Sequence, residues 1–249
     1  MRAAAVIPVR YDSRRLPGKP LLRETGQFLV QHVWESASKA KSLDSVIIAT
    51  DDERIIEAAT QFGATAIMTS ADHRSGSDRV AEVAVNLDCE LVVNIQGDEP
   101  EINPEDLDRL VDRMKSGDEE LGTLARAFNA EEQDSWVDPH QVKVVLGSHN
   151  RALYFSRSPI PWGKDAEGAF LHIGVYAWRR DALLQFSSTE PSPLERREKL
   201  EQLRALELGM SIAVVTTEHV ALGIDTPEDY ARFVERVNQH DPDTRPAQS

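Results

Sequence analysis

Ala3-Ala-Ala-Val-Ile-Pro-Val9, followed at once by Arg10-Tyr-Asp-Ser-Arg-Arg-Leu-Pro-Gly-Lys-Pro20, decides the fold. An unbroken apolar run of this length makes a strand buried on both faces, the kind found inside a parallel sheet. Two prolines and Gly18 rule out regular helix over 10–20, so the strand empties into a loop. That loop packs four cations into eleven residues. An apolar N-terminal run can also mark a signal peptide. No small-residue cleavage site follows here and arginines come straight after, so a buried strand is expected.

The same alternation continues outward. Apolar spacing over 28–37 predicts a helix, and Ser45-Val-Ile-Ile-Ala-Thr50 is a second apolar strand. Asp51 and Asp52 suit an N-cap and first turn for a helix carrying Ile55, Ile56, Ala59 and Phe62, with Gly63 as its C-terminal stop. A third strand is expected over 64–68, a helix over 78–86, a strand at Leu91-Val-Val-Asn-Ile95, and a helix opened by Asn103-Pro104 and running to about Met114. Such alternation gives an α/β fold with a mostly parallel central sheet covered on both faces, with ligands at the carboxyl ends of the strands. The segments 10–20 and 96–100 both fall at such ends.

The second half reads differently. Extended segments are expected over 122–129, 141–146 and 152–156, a strand over 172–178, and a short helix over 180–186. A longer helix over 198–208 closed by Gly209, a strand over 211–216 and a last helix over 227–237 complete the pattern, with a loose tail over 239–249. The expected organisation is one domain over 1–238, its first part mainly 1–120 and its second mainly 121–215.

Of 249 residues, 41% are hydrophobic, enough for one substantial core. The formal charge is −14, from 42 acidic against 28 basic residues, which disfavours general binding to nucleic acid or to an anionic membrane. No apolar run is long enough to span a bilayer. An anionic substrate would need a local basic cluster, and residues 10–19 supply one. Cys89 is the single cysteine, which excludes an intramolecular disulfide and a cysteine metal cluster and suits a cytoplasmic protein.

Cations on a flexible backbone at a strand end are what triphosphate chemistry requires, because charge moves onto the leaving pyrophosphate. The loop is not a Walker A motif: Ser13 takes the first glycine position and Pro20 stands where the metal-binding hydroxyl belongs. Asn94-Ile-Gln-Gly-Asp-Glu-Pro100 offers hard oxygen ligands after a strand, and reads equally as a turn into an acidic helix start. In Gly223-Ile-Asp-Thr-Pro-Glu-Asp229, spacing alone favours Asp225 or Thr226 as a helix cap. Tyr154-Phe-Ser-Arg-Ser-Pro-Ile-Pro161 holds Arg157 in a proline-bounded segment, as a carboxylate-binding arginine or as an ordinary surface one. His172 and Tyr176, on one face of a strand, line a pocket or pack. Glu201-Gln-Leu-Arg204 reads as a solvated helix face. No Gly-x-Gly-x-x-Gly follows the first strand, which argues against a nicotinamide-dependent oxidoreductase.

Taken together, Ile7-Pro-Val-Arg-Tyr, Arg15-Leu-Pro-Gly-Lys-Pro-Leu, Ala49-Thr-Asp-Asp, Met68-Thr-Ser, Ser75-Gly, Gln96-Gly-Asp-Glu-Pro, Tyr154-Phe-Ser-Arg-Ser-Pro-Ile-Pro, His172-Ile-Gly-Val-Tyr, Pro191-Ser-Pro-Leu-Glu, Leu200-Glu-Gln-Leu-Arg and Gly223-Ile-Asp-Thr-Pro-Glu-Asp resemble one family in order and spacing. It is the 3-deoxy-manno-octulosonate cytidylyltransferases, or CMP-Kdo synthetases, and the resemblance covers Val6 to about Asp229. It implies a Rossmann-like nucleotidyltransferase domain with a smaller inserted lobe for substrate and dimerisation. It implies a cytoplasmic homodimer that moves CMP from CTP to Kdo for lipopolysaccharide biosynthesis. The nearest alternative is an enzyme of the same fold acting on sialic acid or an amino analogue of Kdo; a non-catalytic nucleotide-sugar sensor is a further one.

The resemblance also assigns residues. Arg10, Arg15, Lys19, Ser75 and Asp98 would bind the nucleotide, with Lys19, Arg15, Asp98 and Asp225 catalytic. Asp98 and Asp225 would meet as magnesium ligands, against the capping reading of Asp225. Gln96, Arg157, His172, Tyr176, Glu201 and Gln202 would surround the sugar acid, with Arg157 on its carboxylate. Arg74 replaces the family's usual glutamine, Ser77-Asp78 replaces Thr-Glu, and 219–222 lacks the usual Pro-Gly turn. The first two changes are expected near the nucleotide.

Overall fold

A computed structural model describes residues 1–13, 15–219 and 223–240. Strands β1 (Ala3–Val9), β2 (Ser45–Thr50), β3 (Thr65–Met68) and β4 (Leu91–Asn94) form the parallel half of a nine-stranded sheet, in spatial order β3-β2-β1-β4. Helices α1 (Leu29–Ser38), α2 (Glu53–Gln61), α3 (Gly76–Ala84) and α4 (Pro104–Ser116) alternate with them. The second half holds β5 (Leu121–Ala127), α5 (Gln133–Val137), β6 (Lys143–Leu146), β7 (Ala152–Ser156), β8 (Phe170–Arg179), α6 (Arg180–Ser187), α7 (Pro193–Glu198), α8 (Gln202–Glu207), β9 (Ile212–Thr216) and α9 (Pro227–His240). β8 lies between β4 and β5, antiparallel to both, and β9 pairs parallel with β5. The hairpin of β6 and β7 branches from the start of β8.

The period of two along β1 sorts its side chains between two cores. Ala4 and Val6 join Val80, Ala84, Leu183 and Leu203 under α3, α6 and α8. Ala3, Ala5, Ile7 and Val9 join Val33, Ile55, Leu107 and Met114 under α1, α2 and α4. The expected sheet with helices on both faces is therefore present, and every residue of β1 is buried. A third cluster seats α9: Tyr230 and Phe233 pack with Ile224, Leu29 of α1, and Leu16 of the basic loop. Each such side chain contributes roughly 1.5–3 kcal/mol of burial, and together they bring the chain around 224 to the loop after β1.

Three expectations are corrected. The single helix over 198–208 is two, α7 and α8, because Lys199 adopts a left-handed φ of 59° that no α-helix continues through. Its first half starts earlier, on a capping box between Ser192 and Glu195. The last helix runs to His240 rather than 237, so 239–240 are helical; the rest of the expected tail, 241–249, lies outside the described residues.

Candidate active site

Where β1 ends, the basic loop and the turn after β4 wall a cleft of about 350 Å³, lined by Arg10, Asp12, Ser13, Arg15, Lys19, Gln96, Gly97, Asp98 and Asp225 among others. Two glycines make this approach possible. A Cβ on Gly97 would stand 2.1 Å from Val9 Cγ1, so only glycine lets the turn lie against β1. Gly18 takes a φ of 67° as the loop folds back under Tyr11, whose ring is in turn covered by the Arg54 guanidinium at 3.3 Å.

Lys19 ties the cleft together. Its Nζ donates to Asp98 Oδ2 at 2.6 Å and to the Ile224 carbonyl at 2.9 Å, and lies 3.6 Å from Asp225 Oδ1. Arg15 pairs with Asp225 at 2.8 Å, and the Ile224 amide donates to the Asp98 carbonyl at 2.9 Å. The side chains of Asp98 and Asp225 keep 31% and 50% of their surface exposed, so both retain oxygens facing the cleft. Sequence spacing leaves Asp225 between a cap and a ligand. The structure gives the capping of α9 to Thr226, whose hydroxyl accepts from the Asp229 amide at 3.1 Å while Asp229 Oδ2 accepts from the Thr226 amide at 2.9 Å. Asp225 turns instead toward Arg15 and Lys19.

Next to this cleft lies a polar wall built from β4 and β8. Asn94 is opposite Tyr176 in the ladder, and Gln96 Nε2 donates to Asn94 Oδ1 at 3.5 Å. His172 and Tyr176 are four residues apart, yet their rings lie 5.5 Å apart because β8 bulges against β5 between them. Burial lowers the His172 pKa to about 3 and raises that of Tyr176 well above its usual range, helped by the carboxyls of Glu201 and Glu99. Burial likewise raises Glu201, and burial with the Asp98 charge pushes Glu99 up to about 8. Near neutral pH His172 and Tyr176 are therefore uncharged and Glu99 is largely protonated. Glu99 Oε2, Glu201 Oε2 and Gln202 Nε2 are buried without a protein partner among the described residues. Buried polar atoms are normally satisfied, so a wall with three left open suits a ligand rich in hydroxyls.

Not every expected residue stands free for a ligand. The Arg157 guanidinium donates to the carbonyls of Glu198, Pro139 and Lys199 at 2.8, 2.9 and 3.4 Å, and so staples β7 to the loops beside it. Ser75 caps α3 by accepting from the Asp78 amide at 3.2 Å, and Arg10 donates to the His73 carbonyl just before it. Arg74 points elsewhere, pairing with Glu190 at 2.9 Å on a second cleft shared by Asp78 and Glu82. Arg14 and residues 220–222 lie outside the described residues. Sequence alone does not single out Glu99. Its one available signal is its place beside Asp98 in the turn after β4, where two adjacent carboxylates look alike until burial separates them.

The sequence model of the cytidylyltransferase family matches residues 4–212, which takes in the whole cleft except Asp225. The 3-deoxy-manno-octulosonate cytidylyltransferase of Syntrophotalea carbinolica is 46% identical over 245 residues, spanning 93% of this chain and 97% of the relative. The enzyme of the same name from Solibacter usitatus is 50% identical over 231 residues, 91% of each chain. A solved structure of CMP:2-keto-3-deoxy-manno-octonic acid synthetase complexed with CTP superposes with a TM-score of 0.91 at 40% identity, over 97% of this chain and all of that one. A cytidylyltransferase from Leptospira borgpetersenii, 20% identical with a TM-score of 0.62 over 100% of this chain and 98% of that one, shares the fold. With relatives this similar along nearly its whole length, the chain belongs to the 3-deoxy-manno-octulosonate cytidylyltransferase family.

Proposed function

We propose that this protein transfers CMP from CTP to the anomeric hydroxyl of 3-deoxy-manno-octulosonate, releasing pyrophosphate. One observation carries the reading: Lys19, Asp98 and Asp225, far apart in sequence, converge in a cleft walled by the basic loop after β1. The anomeric oxygen bonds to the α-phosphorus, the bond from that phosphorus to the bridging oxygen of pyrophosphate breaks, and the hydroxyl proton passes to solvent. Arg10, Arg15 and Lys19 line the side where negative charge accumulates on the leaving group. The wall of Gln96, Tyr176, Glu201 and Gln202 orients the sugar, and holding both substrates in place supplies much of the rate. Arg157 is the residue we assign to the sugar's carboxylate, since three carbonyls take up only part of its five N–H groups.

Magnesium fits the donor set. Asp98 and Asp225 offer hard oxygens, both partly open, that already converge on one positive charge, the Lys19 ammonium. An ion that takes one or two carboxylates and completes its shell with phosphate oxygens and water suits that pair. When bound there, magnesium supplies polarisation of the α-phosphate and neutralisation of developing charge.

The reading extends to a cytoplasmic homodimer that provides CMP-Kdo for lipopolysaccharide synthesis. Leu153, Val137 and Trp162, with Trp162 91% exposed, place apolar surface in the second half of the chain. Among the described residues no helix is long and apolar enough to cross a membrane. The test is pyrophosphate release measured over CTP, UTP, ATP and GTP, each with Kdo, its 8-amino analogue and sialic acid. Release confined to CTP with Kdo is expected. Preference for another acid would reassign the sugar, and silence with every pair would leave a sensor.

A further inference from the structure

Thr123 of β5 is fully buried behind the β8 bulge, and its hydroxyl has three neighbours. Oγ1 lies 2.8 Å from the Val175 carbonyl, 3.2 Å from the Ile173 carbonyl and 3.0 Å from His172 Nε2. The two carbonyls can only accept, and a hydroxyl has one hydrogen to give. If that hydrogen pointed at the imidazole, two carbonyl oxygens would face the lone pairs of Oγ1 at hydrogen-bond distance. Sending the hydroxyl hydrogen to the nearer carbonyl, Val175, and leaving Oγ1 to accept from Nε2–H gives two hydrogen bonds and leaves only the more distant Ile173 carbonyl facing a lone pair. His172 is neutral at ordinary pH because of its burial, so the proton on Nε2 leaves Nδ1 bare. Among the described residues Nδ1 has no hydrogen-bond partner, and it is not one of the partnerless atoms sealed from solvent.

We infer that Thr123 is a positioning residue for the sugar: by holding His172 in the Nε2–H tautomer it makes Nδ1 a hydrogen-bond acceptor that reads a hydroxyl of the acid sugar. This rests on the proposed function and adds a restriction to it. A neutral ring presenting a lone pair repels a carboxylate, so His172 selects a donor on the ligand and does not hold the acid group. A ligand with an ether or carbonyl oxygen at that position would bind worse than one with a hydroxyl.

Nitrogen NMR of the imidazoles tests the inference on the whole protein, with the His172 signals assigned by their loss in His172→Gln. A protonated-type Nε2 and an unprotonated-type Nδ1 are expected, with Nδ1 shifting when Kdo is added. In Thr123→Val the tautomer should become mixed or reversed, and KM for the sugar should rise about tenfold with KM for CTP unchanged, the loss expected for one hydrogen bond. Thr123→Ser, which keeps the hydroxyl, should restore both. An Nδ1–H tautomer in the wild type would overturn the inference even if CMP transfer proceeds. A catalytically silent protein with the expected tautomer would leave the Thr123–His172 arrangement standing and remove the function built on it. If Thr123→Val does not fold, the wild-type spectrum alone decides the tautomer.

Discussion

Asp225 stands two residues before α9, a helix that it does not cap, since Thr226 and Asp229 close that terminus. Asp225→Asn should therefore leave α9 intact, with an unchanged melting temperature. If Asp225 serves the transferred phosphate, activity should fall about a hundredfold or more, and Asp98→Asn/Asp225→Asn should be little worse than either single change, because both damage one site. An active Asp225→Asn protein with unaltered magnesium dependence would contradict the shared role. Arg157→Ala should raise KM for the sugar far more than KM for CTP; because its guanidinium also staples three carbonyls, thermal unfolding must be followed beside the kinetics. Equal rises in both constants would assign Arg157 to structure alone. The residues of this site are largely legible in the sequence as a pattern of strand ends and charges. Their partners are not: nothing local in Gly223-Ile-Asp-Thr-Pro tells a capping threonine from a capping aspartate, and nothing in Asp98-Glu99 shows which carboxyl is buried.

Among the elements, α9 has a positioning duty that its sequence does not announce. Phe233 is 2% exposed, meets His32 edge-on at 5.0 Å and belongs to the cluster that includes Leu16 of the basic loop. Phe233→Ala should cost about 3–5 kcal/mol where the cavity cannot collapse. It should also loosen the chain at 224–225, so hydrogen exchange in α9 and catalytic efficiency should change together. Faster exchange in α9 with full activity would show that Asp225 keeps its place without the helix. Strands 3–9, 45–50 and 152–156 can be read to the residue because apolar runs and turn signals bound them sharply. The break between α7 and α8 cannot, because a left-handed lysine leaves no mark in a helical pattern. The bulge that joins His172 to Tyr176 is equally hidden, being set by pairing with β5 rather than by β8 itself.

For the whole molecule, two buried groups shape stability in acid. The folded pKa of His172, lowered to about 3 by burial, means the unfolded chain takes up that proton first as pH falls below about 6.5. Stability from this group is thus lost between about pH 6.5 and pH 3. Burial alone would raise Glu119, but hydrogen bonds from Arg113, its own backbone and Arg151 outweigh it and hold the pKa at about 2. Its contribution is present above about pH 4.5 and lost as pH falls toward 2, where the tie between α4 and the segment before β7 lets go. Urea midpoints measured across this range should show His172→Gln flattening the upper part of the acid limb and Glu119→Gln the lower part. Slopes unchanged in both variants would mean that neither burial nor pairing acts as described.

The proposed reaction requires that CMP, rather than phosphate or nothing, leave CTP for the sugar. Phosphorus NMR of CTP, Kdo and magnesium with catalytic protein monitors that event directly. The triphosphate signals should be replaced by one phosphodiester and one pyrophosphate in equal amounts, and only when the sugar is present. Orthophosphate, pyrophosphate without a matching phosphodiester, or a triphosphate that persists would contradict it.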